Sequence, residues 1–225
     1  MDWQAIARTF LPSTALDMLN STGFAPGPGK RHEDVAVMFV DIEGCTRLCE
    51  DLPPHEMTWV IETYFSAYLD IIRRAGGEVT EVLGDGLLAL FEGSSLRENG
   101  ARALLAALRI REATRELNVR EGERHDPIVV NIGLHAGAAL VGITRLHGES
   151  GERWVYAATG PVTNIAARLC ALATQGQILV SGAMAKEVAR TARLRALGPR
   201  PLKNVSGTVE VFEVLAIEET RGEAG

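Results

Sequence analysis

The run Val35-Ala36-Val37-Met38-Phe39-Val40 contains no polar residue and stops at Asp41. A strand with one wetted face alternates apolar and polar residues, whereas one that is apolar throughout must be covered on both sides. The run therefore predicts a central strand ending at Asp41, with a covering layer on each face. A helix is expected over 53–74, where Met57, Val60, Ile61, Tyr64, Phe65, Tyr68 and Ile72 recur at helical spacing, prolines occupy the first turn and Gly76-Gly77 follows. Residues 78–83 and 87–91 read as a hairpin over Gly84-Asp85-Gly86. A helix over 99–117 and a strand over 128–134 complete a βαββαβ order, the ferredoxin-like plan of an α+β sandwich. Further elements are expected as a strand over 138–143 pairing with 128–134, an extended 154–157, a helix over 161–172, and strands over 177–181 and 209–215.

Composition bounds the rest. Apolar residues make up 46% of 225, enough for one substantial core. Residues 1–33 read as a leader: a short helix over 12–19, then a Gly- and Pro-rich linker over 23–29 that offers a junction to a regulatory partner. Residues 218–225 read as a tail. The 23 basic residues against 29 acidic ones give a net charge of −6, which argues against a broad electrostatic grip on nucleic acid or an anionic membrane. Cys45, Cys49 and Cys170 are odd in number and lack metal-type spacing, as expected of reduced thiols in a cytoplasmic protein. No apolar run is long enough to cross a bilayer.

Three groups of residues could carry chemistry. Asp41 at a central strand end and Asp85 at the neighbouring hairpin tip can converge on two Mg²⁺ ions. Taken singly, Asp85 suits a hairpin turn and Asp41 a strand-end cap equally well. Asn164 and Arg168, four apart on a helix, share a face that can orient a ribose and hold a phosphate, or simply meet solvent. The turn Ile42-Glu43-Gly44-Cys45-Thr46 either offers backbone N–H groups to phosphates or is a plain loop; no Gly-Lys-Thr follows, so it is not a Walker loop.

Five segments in order resemble the catalytic domain of class III adenylyl and guanylyl cyclases. Residues 37–46 (VMFVDIEGCT) are similar to the first metal motif and 82–91 (VLGDGLLALF) to the second. Residues 132–137 (IGLHAG) look like the following strand and turn, and 159–169 (TGPVTNIAARL) like the helix with the transition-state Asn and Arg. LKNV at 202–205 through VFEV at 211–214 resembles the closing element. The resemblance covers 34–217 and implies a cyclase domain there. It implies two Mg²⁺ or Mn²⁺ ions on Asp41, Asp85 and the carbonyl of Ile42, and phosphates cradled by Glu43, Gly44, Cys45 and Thr46. Asn164 would position the ribose and Arg168 the α-phosphate. The family works as a head-to-tail dimer whose sites combine residues of both protomers. The implied reaction turns a purine nucleoside triphosphate, GTP or ATP, into its 3′,5′-cyclic monophosphate and pyrophosphate.

Departures from the family pattern are informative. Cys45 stands where the turn usually has Phe, and Asn131 where a basic residue often precedes Ile-Gly. Asn204 replaces the Gly that often follows the closing Lys, here Lys203. The base-reading positions hold Glu81 and Ala157, a pairing similar to that of bacterial guanylyl cyclases, which leans the expectation towards GTP. A catalytically silent nucleotide-binding or dimerisation module and a pyrimidine cyclase stand as alternatives.

Overall fold

The computed structural model describes residues 11, 13–21, 30–122 and 124–218. The expected linker 23–29 and all of the tail but Glu218 lie outside them. Helix α1 (Ser13–Ser21) precedes strand β1 (Arg31–Ile42). Helices α2 (Cys45–Asp51) and α3 (Pro54–Arg74) lead to the hairpin β2 (Glu78–Leu83) and β3 (Gly86–Glu92). Then come α4 (Leu96–Glu121), β4 (Val130–Gly148), β5 (Gly151–Thr159) and α5 (Pro161–Leu172). The chain closes with β6 (Ile178–Ser181), α6 (Gly182–Val188), β7 (Ala192–Pro201) and β8 (Thr208–Ile217).

The sheet order is β2-β3-β1-β4-β6-β8-β7, with β5 paired to β4. Only the β4–β6 pair is parallel. The α+β plan with a central β1 is as expected, and β1 is covered on both faces. Ala36, Met38, Val40 and Ile42 pack in one cluster with α3, α4 and α6, through residues such as Val60, Tyr68, Ile110 and Met184. Val35 and Val37 pack on the other face with Ala15, Tyr156, Val162 and Ala166, from α1, β5 and α5. The α3–α4 contact also satisfies its buried hydroxyls. Tyr68 Oη lies 2.7 Å from Thr114 Oγ1, and Tyr64 donates to Asn118 Oδ1 at 2.8 Å. Helix α4 starts on Ser95, whose hydroxyl accepts from the Glu98 N–H.

Three expectations need correction. First, β1 begins at Arg31 rather than at Val35, because Arg31, His32 and Glu33 continue the ladder against Val141, Leu140 and Ala139. Second, 128–134 and 138–143 are not two paired strands but parts of one 19-residue strand, β4. Its first part pairs with β1 and its last part with β5. Gly137 resembled a turn residue but is not among the positive-φ glycines, and the chain runs straight through it. Third, β7 was not among the expected elements; it contains Gly198, Pro199 and Pro201, residues that disfavour a central strand. At the edge of a sheet proline is tolerated, since one side of the strand needs no ladder donor. Among the described residues no helix is long and apolar enough to cross a membrane.

Candidate active site

The pleat of β1 places Asp41 on the face of Val35, Val37 and Phe39. Its register partners are Gly86 on β3 and Asn131 on β4. Gly86 leaves room beside it: a Cβ there would lie 3.4 Å from Asp41 Oδ1 and 3.3 Å from the Val40 carbonyl. Asp85 sits in the two-residue loop between Leu83 and Gly86, next to Gly84 at φ 64°. The Ile42 N–H donates to the Asp85 carbonyl at 3.2 Å and fixes the loop against the end of β1. The expected convergence of the two aspartates is therefore present. Burial, and then the charge of Asp85, push the Asp41 carboxyl up to about 6. Burial and a hydrogen bond to Asp85 push the Cys45 thiol up to about 12, so it stays protonated as a donor to that carboxylate.

A buried carboxylate beside the charge of a second one fits a hard cation, which relieves the repulsion. No cluster of three or more His, Cys, Asp or Glu that could hold a metal occurs among the described residues. The remaining oxygen ligands of such an ion would come from main chain, water and a phosphate-bearing substrate.

The turn after Asp41 differs from expectation at one residue. The Glu43 N–H is occupied by the Val129 carbonyl at 2.8 Å. The Glu43 carboxylate accepts from Asn131 Nδ2 at 3.0 Å and from the Gln175 N–H at 2.5 Å. Glu43 is thus a clasp rather than a free phosphate donor, and the N–H groups left for an anion begin at Gly44, φ 69°, and continue through Cys45 and Thr46. Asn131 is only 6% exposed and its amide oxygen accepts from the Gly176 N–H at 3.1 Å, so both ends of its amide are engaged within the fold. Sequence reasoning missed this clasp.

Asn164 and Arg168 lie on α5, which packs across β1 and β4 on the Asp41 face through Val162 and Ala166. Asn164 is exposed and Arg168 half-buried. Neither has a hydrogen bond or ion pair recorded among the described residues, which leaves both side chains available to a ligand.

Glu81 reaches the Asp41 face through a β-bulge. Val79 pairs with Ala89, Thr80 is skipped, and Glu81 pairs with Leu88. Leu88 shares the face of Phe39 and Asp41. Regular register would have set Glu81 opposite Leu87, on the helix-covered face; the bulge turns it over. Ala157 pairs with Gly142 and alternates with Tyr156 and Ala158, which pack into the second cluster. It faces the other side of β5, so the fold does not bring it onto the face of Glu81. Lys203 is exposed between β7 and β8, beside buried Leu202. Asn204 has φ 62°, a left-handed conformation that Asn tolerates better than most residues, which explains why it can replace glycine there.

Fold and site together define a nucleotidyl cyclase catalytic domain. Residues 28–214 match the adenylate and guanylate cyclase catalytic domain, and the chain belongs to that family. It is 25% identical over 200 residues to adenylate cyclase 1 of Rhizobium meliloti, covering 87% of this chain and 30% of that protein. The chain spans less than a third of that relative's length. Among solved structures it resembles the guanylyl cyclase Cya2, at 27% identity with a TM-score of 0.75, over 87% of this chain and 98% of that one. A bacterial light-regulated adenylyl cyclase shares the fold with a TM-score of 0.79, at 24% identity, over 93% of this chain and 60% of that one. Domains of this family act on nucleoside triphosphates, work as dimers and use divalent metal ions. The comparisons lend no support to a silent module or a pyrimidine cyclase.

Proposed function

We propose that the chain cyclises a purine nucleoside triphosphate, at sites shared between two copies of itself. The observation that carries this is the convergence of Asp41 and Asp85 on the face over which α5 presents an unpartnered Asn164 and Arg168. Asp41, Asp85 and the Ile42 carbonyl would hold the metal ions, which when bound would neutralise the triphosphate and ease loss of the ribose 3′-hydroxyl proton to water. Asn164 of the second copy orients the ribose, and Arg168 balances the charge that grows on the α-phosphate. The 3′-oxygen forms its bond to the α-phosphorus, the bond to the β-phosphate oxygen breaks, and pyrophosphate leaves. Gly44, Cys45 and Thr46 face the phosphates, and exposed Lys203 is the further cation for them. The three free cysteines support a cytoplasmic setting for the reaction.

The base is guanine in this reading. The half-buried carboxylate of Glu81 has no partner recorded among the described residues and accepts from both the N1–H and the 2-amino group of guanine. Adenine presents an acceptor at N1 and leaves the carboxylate unpaired. Ala157, on the far side of β5, adds nothing to this selection. Turnover of GTP, ATP, CTP and UTP with Mn²⁺, followed by mass spectrometry of the cyclic products, tests the proposal. Cyclic GMP should dominate; no cyclic product from any of the four would refute it.

A further inference from the structure

We propose that Glu43 is a positioning residue that ties the metal-bearing turn of a protomer to the end of its own helix α5, and so links the two active sites of the dimer. The inference rests on the shared-site reading above.

The tie joins three segments remote in sequence. One Glu43 carboxylate oxygen accepts from Asn131 Nδ2 and from the Gln175 N–H, at 3.0 and 2.5 Å. Asn131 Oδ1 takes the Gly176 N–H at 3.1 Å, and the Asn131 carbonyl takes the Cys170 thiol at 3.2 Å. Asn131 is the register partner of Asp41. Cys170 is buried on α5, two residues beyond Arg168. Gln175 and Gly176 are both left-handed, at φ 55° and 77°. That conformation is unfavourable for glutamine, so the loop needs an external anchor, and a charge-assisted bond to its N–H supplies one. Without the carboxylate, the almost fully buried Asn131 amide also loses its acceptor.

A plain loop anchor would matter only for stability. Here the two ends of the anchor carry different halves of different sites. The turn at 41–46 serves the site where the protomer holds metal, while α5 serves the site where it holds ribose and α-phosphate. A small displacement of α5 is enough to lower turnover about tenfold or more. Glu43 itself touches no nucleotide, since its carboxylate is engaged and would repel phosphates.

The test uses mixed dimers. A chain carrying Arg168→Ala keeps its metal half, and a chain carrying Asp41→Ala keeps its α5 half; mixing them leaves one complete site per heterodimer. Glu43→Ala is then added to the Asp41→Ala chain, whose own metal turn belongs to the dead site. If Glu43 acts through α5, activity of the mixture drops about tenfold although the living site's metal turn is untouched. Activity within twofold of the unmodified mixture overturns the proposal. If the doubly substituted chain fails to fold, Glu43→Leu, which fills similar space but offers no acceptor to Asn131 Nδ2 or the Gln175 N–H, is read against the same outcomes. Failure of the unmodified mixture to regain activity would indict the shared site instead. In that event amide hydrogen exchange of Glu43→Ala in the otherwise unaltered chain decides: faster exchange at Gln175, Gly176 and the last turn of α5 supports the tie, and unchanged exchange overturns it.

Discussion

Asp41 and Asp85 reach the same strand end from β1 and from the β2–β3 loop, and the burial of Asp41 beside the Asp85 charge raises the Asp41 carboxyl to about 6, from 3.8. A raised carboxyl favours folding below its ordinary range, and that contribution is lost as pH rises through about 6. At pH 7.5 the metal-free protein therefore carries the full repulsion. Mg²⁺ or Mn²⁺ should raise the thermal midpoint of the parent. Asp41→Asn should raise the metal-free midpoint, abolish the metal-induced rise and lower turnover by about a hundredfold or more. An Asp85→Ala chain that cyclises at the parental rate would reduce Asp85 to a turn residue.

His135 gives a pH dependence of the opposite kind. Burial lowers its imidazole to about 4, with Nδ1 2.6 Å from Ser181 Oγ. Because the folded value lies below the ordinary 6.5, its contribution is present above 6.5 and is lost as pH falls towards 4. Between pH 7 and pH 4.5 this loss opposes the gain from Asp41. A His135→Gln chain should therefore rise in urea midpoint relative to the parent as pH falls over that window; an identical slope would remove His135 from the acid response.

Gly133 sets how closely α5 approaches the sheet. A Cβ there would lie 2.2 Å from the Ala166 carbonyl oxygen and 2.3 Å from the Cys170 nitrogen, both backbone atoms of α5. Gly133→Ala must push the helix away, and should cost about 2 kcal/mol or more in denaturant unfolding, with a loss of turnover as Asn164 and Arg168 shift. At Gly137 the same change meets only His135 Nε2, at 3.6 Å, and should be close to neutral for stability. Equal effects at the two positions would contradict the close-approach argument.

The fold was legible where one residue pattern had one meaning. The unbroken apolar β1 and the regular stripe on α3 fixed the centre of the sheet and one of its layers. Gly137 misled because glycine serves both turns and straight strands, and only pairing decides. In the site, Asp41 and Asp85 were readable as neighbouring strand ends. The Glu43–Asn131–Gln175 clasp was not, since bonds between side chains and a distant backbone amide leave no spacing in the sequence. The bulge at Thr80 and the facing of Ala157 depend on register, which hydrophobic pattern alone leaves open at a half-buried edge strand.

Glu81 as the base selector leads to a kinetic comparison. The parent should favour GTP over ATP by about tenfold in kcat/KM. Glu81→Lys should move the ratio towards ATP, since an ammonium donates to adenine N1 where the carboxylate repelled it. Deleting Thr80 removes the bulge but keeps Glu81 opposite Leu88, on the Asp41 face, so the preference should survive that change. A parent that prefers ATP, or a ratio unmoved by Glu81→Lys, would end this reading.

The central claim is that each site is completed by a second copy of the chain. Asp41→Ala and Arg168→Ala homodimers should each lose nearly all turnover. Mixed at equal concentration under conditions where subunit exchange is shown by mass spectrometry, they should regain activity, because one site in each heterodimer then carries neither lesion. The account predicts recovery to about a quarter of the parental rate per chain, since random exchange makes half of the dimers heterodimers with one living site of two. Exchange without recovery would contradict it.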